Sequence, residues 1–296
     1  MISPTAIVVL FFSLILGAVY QPLDSNSLFA TQEALERDVV SKNILLVTAH
    51  PDDESLFFAP TILALQQKSA NKSITFSHLC LSYGNAEGLG ETRKLELSRS
   101  LDILGVSARW VIDHPQLQDN QIAEWDASVI ADILKPYVLD LKIDTILTFD
   151  SSGISDHPNH KSIPAGALTL IKNLGGTSSE PPLRLFTLIS SSLPYKYTSV
   201  FSVALDKIEI YIYRGMQKLE NLIIRILSIW YPDILTPIHP RNPDANATPI
   251  FISGYLEYKT ALESMKAHES QLLWFRYLYV AFSKYMWVNT YVEVKP

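Results

Sequence analysis

The sequence predicts an α/β fold: a Rossmann-like, doubly wound, mostly parallel sheet with flanking helices, plus an N-terminal transmembrane helix. Apolar runs without polar alternation, at residues 44–48 (ILLVT) and 145–149 (TILTF), are typical of strands buried on both faces. Segments with apolar residues at helical spacing separate such runs, and this alternation indicates parallel βαβ units. No GxGxxG follows the first strand, so a dinucleotide site would lack its phosphate cradle.

Composition excludes several classes of protein. The chain has 296 residues, 48% of them hydrophobic, which is enough for a large buried core. Its net charge of −6 and the lack of a dense Lys/Arg block argue against a nucleic-acid partner. A single cysteine, Cys80, cannot form an internal disulfide, which favours a reducing compartment. Cysteine-based metal sites are excluded as well, so histidine and carboxylate must hold any metal.

The first half of the predicted sheet follows from local patterns. After the strand at 44–48, residues 55–68 predict a helix and residues 74–81 predict a second strand. The segment 91–104 has apolar residues at helical spacing and ends before Gly105, a typical C-terminal stop.

The second half continues the same alternation. It comprises strands at 109–112, 145–149 and 185–190, a helix at 122–141 that Pro136 could kink, a loop at 150–159 and a helix at 160–174. The strand at 185–190 is predicted to be the last of the sheet.

The two ends of the chain have different patterns. Residues 4–20 are free of charge and, at about 17 residues, reach the lower limit of a bilayer span. No Lys or Arg precedes this run, which favours an uncleaved anchor over a signal peptide. We therefore predict a membrane anchor at 1–21, a linker at 22–42 and one folded domain at 43–296.

Within that domain, residues 222–231 are hydrophobic and about 232–249 form a proline-rich loop. The aromatic tail from Gln271 suits a membrane-interface helix or, equally, a helix packed on the sheet.

Polar clusters follow two of the predicted strands. Residues 49–54 (AHPDDE) come directly after the first strand, and residues 157–160 (HPNH) follow the strand at 145–149. Ligands of open α/β sheets bind outside the carboxyl ends of the strands. Two histidines plus an aspartate could form the His₂-carboxylate set of a catalytic zinc site. The alternatives are structural: the first cluster suits a helix N-terminus, and the second suits a turn into a helix.

These motifs resemble those of the PIG-L/LmbE-like zinc de-N-acetylases. The resemblance rests on AHPDDE, HPNH, the helix GETRKLELSRSLDILGV and residues 268–271 (HESQ), and it covers about 43–192 and 250–292. The tail is similar to the eukaryotic branch, the N-acetylglucosaminyl-phosphatidylinositol de-N-acetylases of GPI-anchor synthesis.

The resemblance implies roles for individual residues. His50, Asp53 and His160 would bind the metal, Asp52 would act as general base, and His157 would stabilise the developing oxyanion.

Three further residues are implied as substrate contacts, namely Arg93, Asp119 and His268. Each has a structural alternative. Arg93 could form a solvated pair with Glu96, Asp119 could be a turn residue, and His268 could tie down the C-terminal helix.

The resemblance also implies a substrate and a location. The substrate would be the glycolipid GlcNAc-phosphatidylinositol, and the cofactor Zn²⁺, although a His₂-Asp site also suits iron. The catalytic domain would lie on the cytoplasmic face of the endoplasmic reticulum membrane. The alternatives are a deacetylase of a soluble GlcNAc conjugate and a non-catalytic glycolipid-binding protein.

Overall fold

The structure is a computed structural model that describes residues 3–24, 43–70, 74–175, 182–230 and 249–295. Most of the predicted linker and nearly all of the proline-rich loop lie outside these residues.

A mixed sheet runs through the described part of the chain. Its strands are β1 (Leu23–Asp24), β2 (Asn43–Thr48), β3 (Thr75–Cys80), β4 (Arg109–Val111), β5 (Thr145–Phe149), β6 (Arg184–Leu188), β7 (Ile250–Ile252) and β8 (Val288–Val294). Their spatial order is β1-β7-β8-β6-β5-β2-β3-β4.

Helices cover the sheet and extend from it. They are α1 (Pro4–Tyr20), α2 (Asp53–Leu56), α3 (Ala59–Ala70), α4 (Gly90–Ile103), α5 (Ala127–Asp140), α6 (Gly153–Asp156), α7 (Pro158–Leu174), α8 (Leu193–Lys196), α9 (Phe201–Trp230), α10 (Tyr255–Lys266) and α11 (Trp274–Phe282). Short 3₁₀ turns occupy Asn85–Glu87 and Lys284–Met286.

Strands β2 to β6 form the predicted parallel core. Strand β2 lies between β3 and β5, and all three are parallel; β4 and β6 extend the sheet on either side in the same direction. The chain thus runs from β2 through β3 to β4 on one side of the sheet. It then crosses to the other side of β2, where it forms β5 and β6. The carboxyl ends of β2 and β5 form the switch point where such sheets bind ligands.

The C-terminal part of the sheet corrects two predictions. Strand β6 is not the last, because β8 pairs with it antiparallel and is followed by β7 and β1. The aromatic tail is not one helix, because α11 ends at Phe282 and residues 288–294 form a strand. Strand β8 begins with the buried residues Val288 and Asn289 and includes the fully buried Tyr291, whereas Val292 is 46% exposed.

Helix boundaries also differ from the prediction at three places. The helix predicted at 122–141 begins only at Ala127, where the Asp126 side chain caps α5. The helix predicted at 55–68 is split into α2 and α3, because the chain turns at Phe57 before Pro60 opens α3. The loop predicted at 150–159 contains α6, and α7 already begins at Pro158. The last two changes bring the two polar clusters into helix N-terminal positions.

The predicted N-terminal helix forms as α1, with Ser3 capping its first turn. Its 17 residues extend about 25 Å, against a hydrocarbon thickness of about 30 Å. Within the described residues, none of the helices has the length and apolar character needed to cross a bilayer. The transmembrane span predicted for residues 1–21 is therefore not supported.

Residues 222–230 of the predicted hydrophobic stretch form the end of α9, a single helix of 30 residues. The first two turns of α9 contact the domain through buried Val203 and Lys207, whereas many of its later apolar side chains are exposed.

Candidate active site

The two polar clusters meet at the carboxyl ends of β2 and β5. The ring centroids of His50 and His157 are 4.9 Å apart, and those of His157 and His160 are also 4.9 Å apart. His50 and His160 are almost fully buried, and the His157 side chain keeps 15% exposure. The AHPDDE and HPNH motifs thus contribute to a single site.

Asp53 is held by the backbone of its own motif. Its Oδ2 accepts hydrogen bonds from the backbone N–H groups of Ala49 (3.0 Å) and His50 (2.9 Å). Its Oδ1 lies 3.2 Å from His160 Nε2. Burial alone would raise the pKa of Asp53, but the adjacent His160 and His50 outweigh it and lower the pKa. A carboxylate oxygen therefore faces the histidine cluster in its charged form.

The ring of His160 is fixed on two sides. It stacks on Phe149 at a centroid distance of 4.1 Å, and its Nδ1–H donates to the Gly153 carbonyl at 3.1 Å. Gly153 has a φ of +58°, and a Cβ there would come within 2.8 Å of the His160 Cβ, so glycine suits this position. With Nδ1 as the donor, Nε2 of the neutral ring can act as a metal ligand.

His157 is oriented differently from His160. Its Nδ1 accepts a hydrogen bond from the Asn159 backbone N–H at 3.3 Å, because His157 caps α7. The proton of the neutral ring is then on Nε2, the nitrogen nearer to Asp119. Burial lowers the pKa of His157, which favours this neutral form. His157 can thus donate a hydrogen bond from Nε2.

His50 contacts Asn159, the third residue of the HPNH motif. Asn159 Oδ1 accepts from the Asn120 backbone N–H at 3.0 Å, which identifies it as the oxygen, and His50 Nε2 lies 3.1 Å from it. His50 therefore donates a hydrogen bond from Nε2, and its Nδ1 keeps a lone pair that can bind a metal. Burial lowers the pKa of His50 to about 4, so the ring is neutral, as a metal ligand must be.

These donors fit a divalent metal. The described residues contain one such cluster, His50, His157 and His160, each offering a ligand atom within 4.8 Å of the others. Asp53 Oδ1 adds a buried carboxylate to it. The hydrogen bonds separate His157 from the other two rings and favour His50, Asp53 and His160 as the ligand set.

Asp52 lies beside this set in a strained conformation. Its φ of 109° is in the region that residues with a side chain rarely adopt, and such strain costs on the order of 1–3 kcal/mol. Its carboxylate is buried, and burial raises its pKa. Asp52 Oδ2 forms an ion pair with Arg276 of α11, with Nη1 at 2.6 Å. A buried carboxylate of raised basicity next to a metal site has the properties of a general base.

Arg93 and Asp119 border the same site. Arg93 Nη1 donates to the Gly84 carbonyl at 2.8 Å and Nη2 to the Pro51 carbonyl at 2.9 Å. Asp119 lies between Arg93 Nη1 (3.4 Å) and His50 Nε2 (3.3 Å). Arg93 therefore does not form the solvated pair with Glu96 that was the structural alternative. A role as a turn residue does not account for the contacts of Asp119 with Arg93 and His50. Both residues help to build the wall of the site.

His268 has a structural position. It is fully buried, and its Nε2 lies 2.6 Å from Oε1 of Glu54, which is also fully buried. The hydroxyl groups of Ser55 and Ser100 donate to the same oxygen. Burial would raise the pKa of Glu54, but His268 and these hydrogen bonds lower it to about 2. The geometry favours the alternative in which His268 ties down the C-terminal segment, and it gives no support to a substrate contact.

The rest of the HESQ motif is fixed by Glu96. This buried carboxylate accepts hydrogen bonds from the backbone N–H and the hydroxyl of Ser270, at 2.7 Å and 2.6 Å, and from the side-chain amide of Gln271. Helix α4 thereby holds the segment that leads into α11.

We expect His268→Ala to destabilise the fold by about 3–5 kcal/mol, because it leaves the Glu54 carboxylate charged, buried and without its cation. Chemical denaturation would measure this change. His114→Ala is the matched control, since His114 lies in a partly exposed loop. A loss below about 1 kcal/mol would contradict the structural role of His268.

Sequence reasoning missed Arg276, Glu54 and Glu96 as parts of the site. Glu54 belongs to the quoted motif, but its partner is 214 residues away, so no local spacing signals the pair. Arg276 stands inside the aromatic tail, where a single cation is also typical of a surface helix.

A His₂-carboxylate group with a second carboxylate, at the switch point of an α/β sheet, is typical of metal-dependent hydrolases. Residues 45–171 match the family model described as PIG-L, GlcNAc-PI de-N-acetylase. With the relatives below, this shows that the chain belongs to the PIG-L family of de-N-acetylases.

Two relatives match over most of their length. A Dictyostelium discoideum protein named "Probable N-acetylglucosaminyl-phosphatidylinositol de-N-acetylase" is 36% identical over 87% of this chain and 95% of that protein. The N-acetylglucosaminyl-phosphatidylinositol de-N-acetylase of Bos taurus is 34% identical, over 83% and 81% respectively. Among solved structures, N,N'-diacetylchitobiose deacetylase from Pyrococcus horikoshii has a TM-score of 0.51 at 13% identity, covering 90% of this chain and 87% of that one. This last match supports the fold alone.

Proposed function

We propose that this protein removes the acetyl group from N-acetylglucosaminyl-phosphatidylinositol. The products are glucosaminyl-phosphatidylinositol and acetate. This reaction is the second step of GPI-anchor biosynthesis. The observation that carries the proposal is the buried set of His50, Asp53 and His160 beside Asp52 at the sheet switch point. Membership of the family and the names of its relatives supply the substrate.

His50, Asp53 and His160 would hold the metal, for which Zn²⁺ is the first choice and another divalent ion such as iron the second. A divalent ion held by these residues would lower the pKa of water from 15.7 to about 7 and would polarise the amide carbonyl.

The remaining residues move and stabilise charge. Asp52 takes a proton from the attacking water and returns it to the amide nitrogen as the C–N bond breaks, so acetate and a free amine leave. His157 donates from Nε2 to the oxygen that gains negative charge. One such donor is typically worth about 2.7–4 kcal/mol of transition-state stabilisation. Arg93 and Asp119, which line the wall, orient the sugar.

We also infer that the protein works on the cytoplasmic face of the endoplasmic reticulum membrane. A lipid substrate is confined to the bilayer, so attachment of the enzyme raises its effective concentration. Support comes from apolar side chains exposed along α1 and α9, which are Ile7, Val8, Val9, Leu10, Phe11, Phe12, Leu16, Leu205, Ile208, Ile212, Met216, Leu219, Leu222, Ile223, Ile226 and Ile229. Exposed apolar surface of this extent is typical of an interaction with lipid or protein.

Acetate release from two substrates tests the activity. The purified protein in detergent is given GlcNAc-phosphatidylinositol or a soluble N-acetylglucosamine conjugate. We expect faster release from the lipid. Faster release from the soluble conjugate would contradict the proposed substrate, and no release from either by folded, metal-loaded protein would contradict the enzyme.

A further inference from the structure

Helix α11 has the reverse polarity of an ordinary surface helix. Its outward face consists of large apolar side chains, and Trp274 at 75% and Tyr277 at 56% exposure are the most accessible. Phe275, Leu278 and Phe282 share this face. The helix has one cation, Arg276, which points the other way, towards the site. Such a helix is complementary to an anionic lipid, because its apolar face can contact acyl chains and its cation can contact a negatively charged headgroup.

The contact of Arg276 with the site is an ion pair. Its Nη1 is 2.6 Å from Asp52 Oδ2, yet this oxygen has no aligned hydrogen bond within the described residues. The Arg276 side chain keeps 29% exposure, the highest value among the charged groups around the site. Arg276 is thus the most accessible charged side chain around the site.

The other arginine at the site is already engaged. Arg93 donates to two backbone carbonyls and lies next to Asp119, and its side chain is only 14% exposed. A Cβ at Gly84 would come within 2.5 Å of the Arg93 guanidinium, so the loop packs closely around it. An incoming anion would have to break these contacts to reach Arg93. Arg276 can change partner at lower cost.

We propose that α11 recognises the phosphatidyl part of the substrate, with Arg276 binding its phosphodiester and the outward apolar face lying along its acyl chains. This inference rests on the proposed function, which supplies a substrate with one phosphodiester between the inositol ring and the lipid. The planar guanidinium suits two phosphate oxygens at once.

Three substrates distinguish the contact of Arg276 with the phosphodiester from the contact of the apolar face with the acyl chains. They are intact GlcNAc-phosphatidylinositol in detergent micelles, its deacylated form that keeps the phosphodiester, and GlcNAc-inositol without phosphate. Because charge-assisted hydrogen bonds are involved, Arg276→Gln should lower kcat/KM for the deacylated form relative to GlcNAc-inositol by about 10-fold or more. Arg276→Lys should recover part of this ratio. Arg99→Gln, an exposed arginine of α4, is the control that leaves the ratio unchanged.

The apolar face is tested by Trp274→Ala. We expect kcat/KM for the intact lipid, relative to the deacylated form, to fall by about 3-fold or more, because apolar burial is lost. Leu139→Ala, an exposed apolar residue of α5, is the control.

Two results would overturn the inference while the proposed function stands. Wild-type protein would be active, but Arg276→Gln would lower kcat/KM equally for the substrates with and without phosphate, as expected if Arg276 only positions Asp52. Alternatively, free inorganic phosphate at millimolar concentration would inhibit wild type and Arg276→Gln equally, which would place the anion elsewhere. A wild-type protein that releases no acetate from any of the three would instead contradict the proposed function itself.

Discussion

Asp52→Asn is expected to lower acetate release by about 10²- to 10⁴-fold, the usual contribution of a general base. Asparagine has nearly the same shape, so the strained turn at φ 109° can persist, but its amide cannot take a proton from water. Metal content should stay near the wild-type value, because His50, Asp53 and His160 are untouched. Acetate assays and metal analysis of the same sample would measure both quantities.

The control for Asp52 is Asp113→Asn, in an exposed loop, which should change neither quantity. An Asp52→Asn protein that lost metal and activity to the same extent would contradict the role of Asp52 as base and make it a ligand.

His160→Ala is expected to lose metal and activity together. The imidazole offers Nε2 to the metal while Gly153 and Phe149 fix its ring, and alanine removes both the ligand and the stacking partner. Loss of a residue that merely orients a ligand typically costs 10- to 100-fold in metal affinity, so loss of a ligand should cost more than about 100-fold. Metal titration followed by an acetate assay would measure the change.

His157→Ala is the comparison variant for His160. Because His157 presents an N–H to the cluster, it should reduce activity while the protein keeps its metal. A His160→Ala protein that binds metal normally and remains active would contradict the ligand assignment.

The parallel core could be predicted from the sequence because buried strands carry their signal locally. The segments ILLVT and TILTF have uninterrupted apolar character, and the observed β2 and β5 match them to within one residue. The carboxyl-end rule then predicts that the two histidine motifs lie at the same edge of the sheet.

The C-terminal strands could not be predicted in the same way. Strand β8 pairs with β6 through Phe186 and Glu293, which are more than a hundred residues apart, and no hairpin turn joins them. Its aromatic content is shared with the preceding helix, so composition does not separate α11 from β8. The pairings of Glu54 with His268 and of Asp52 with Arg276 have the same cause, since they exist only once the tail folds back over the site.

The most direct test of the central claim is acetate release from GlcNAc-phosphatidylinositol by the purified protein, measured untreated, after chelation and after zinc is added back. The account predicts release that disappears on chelation and returns with zinc, in parallel with the metal content of the sample. Full activity from protein shown by metal analysis to be metal-free would contradict it.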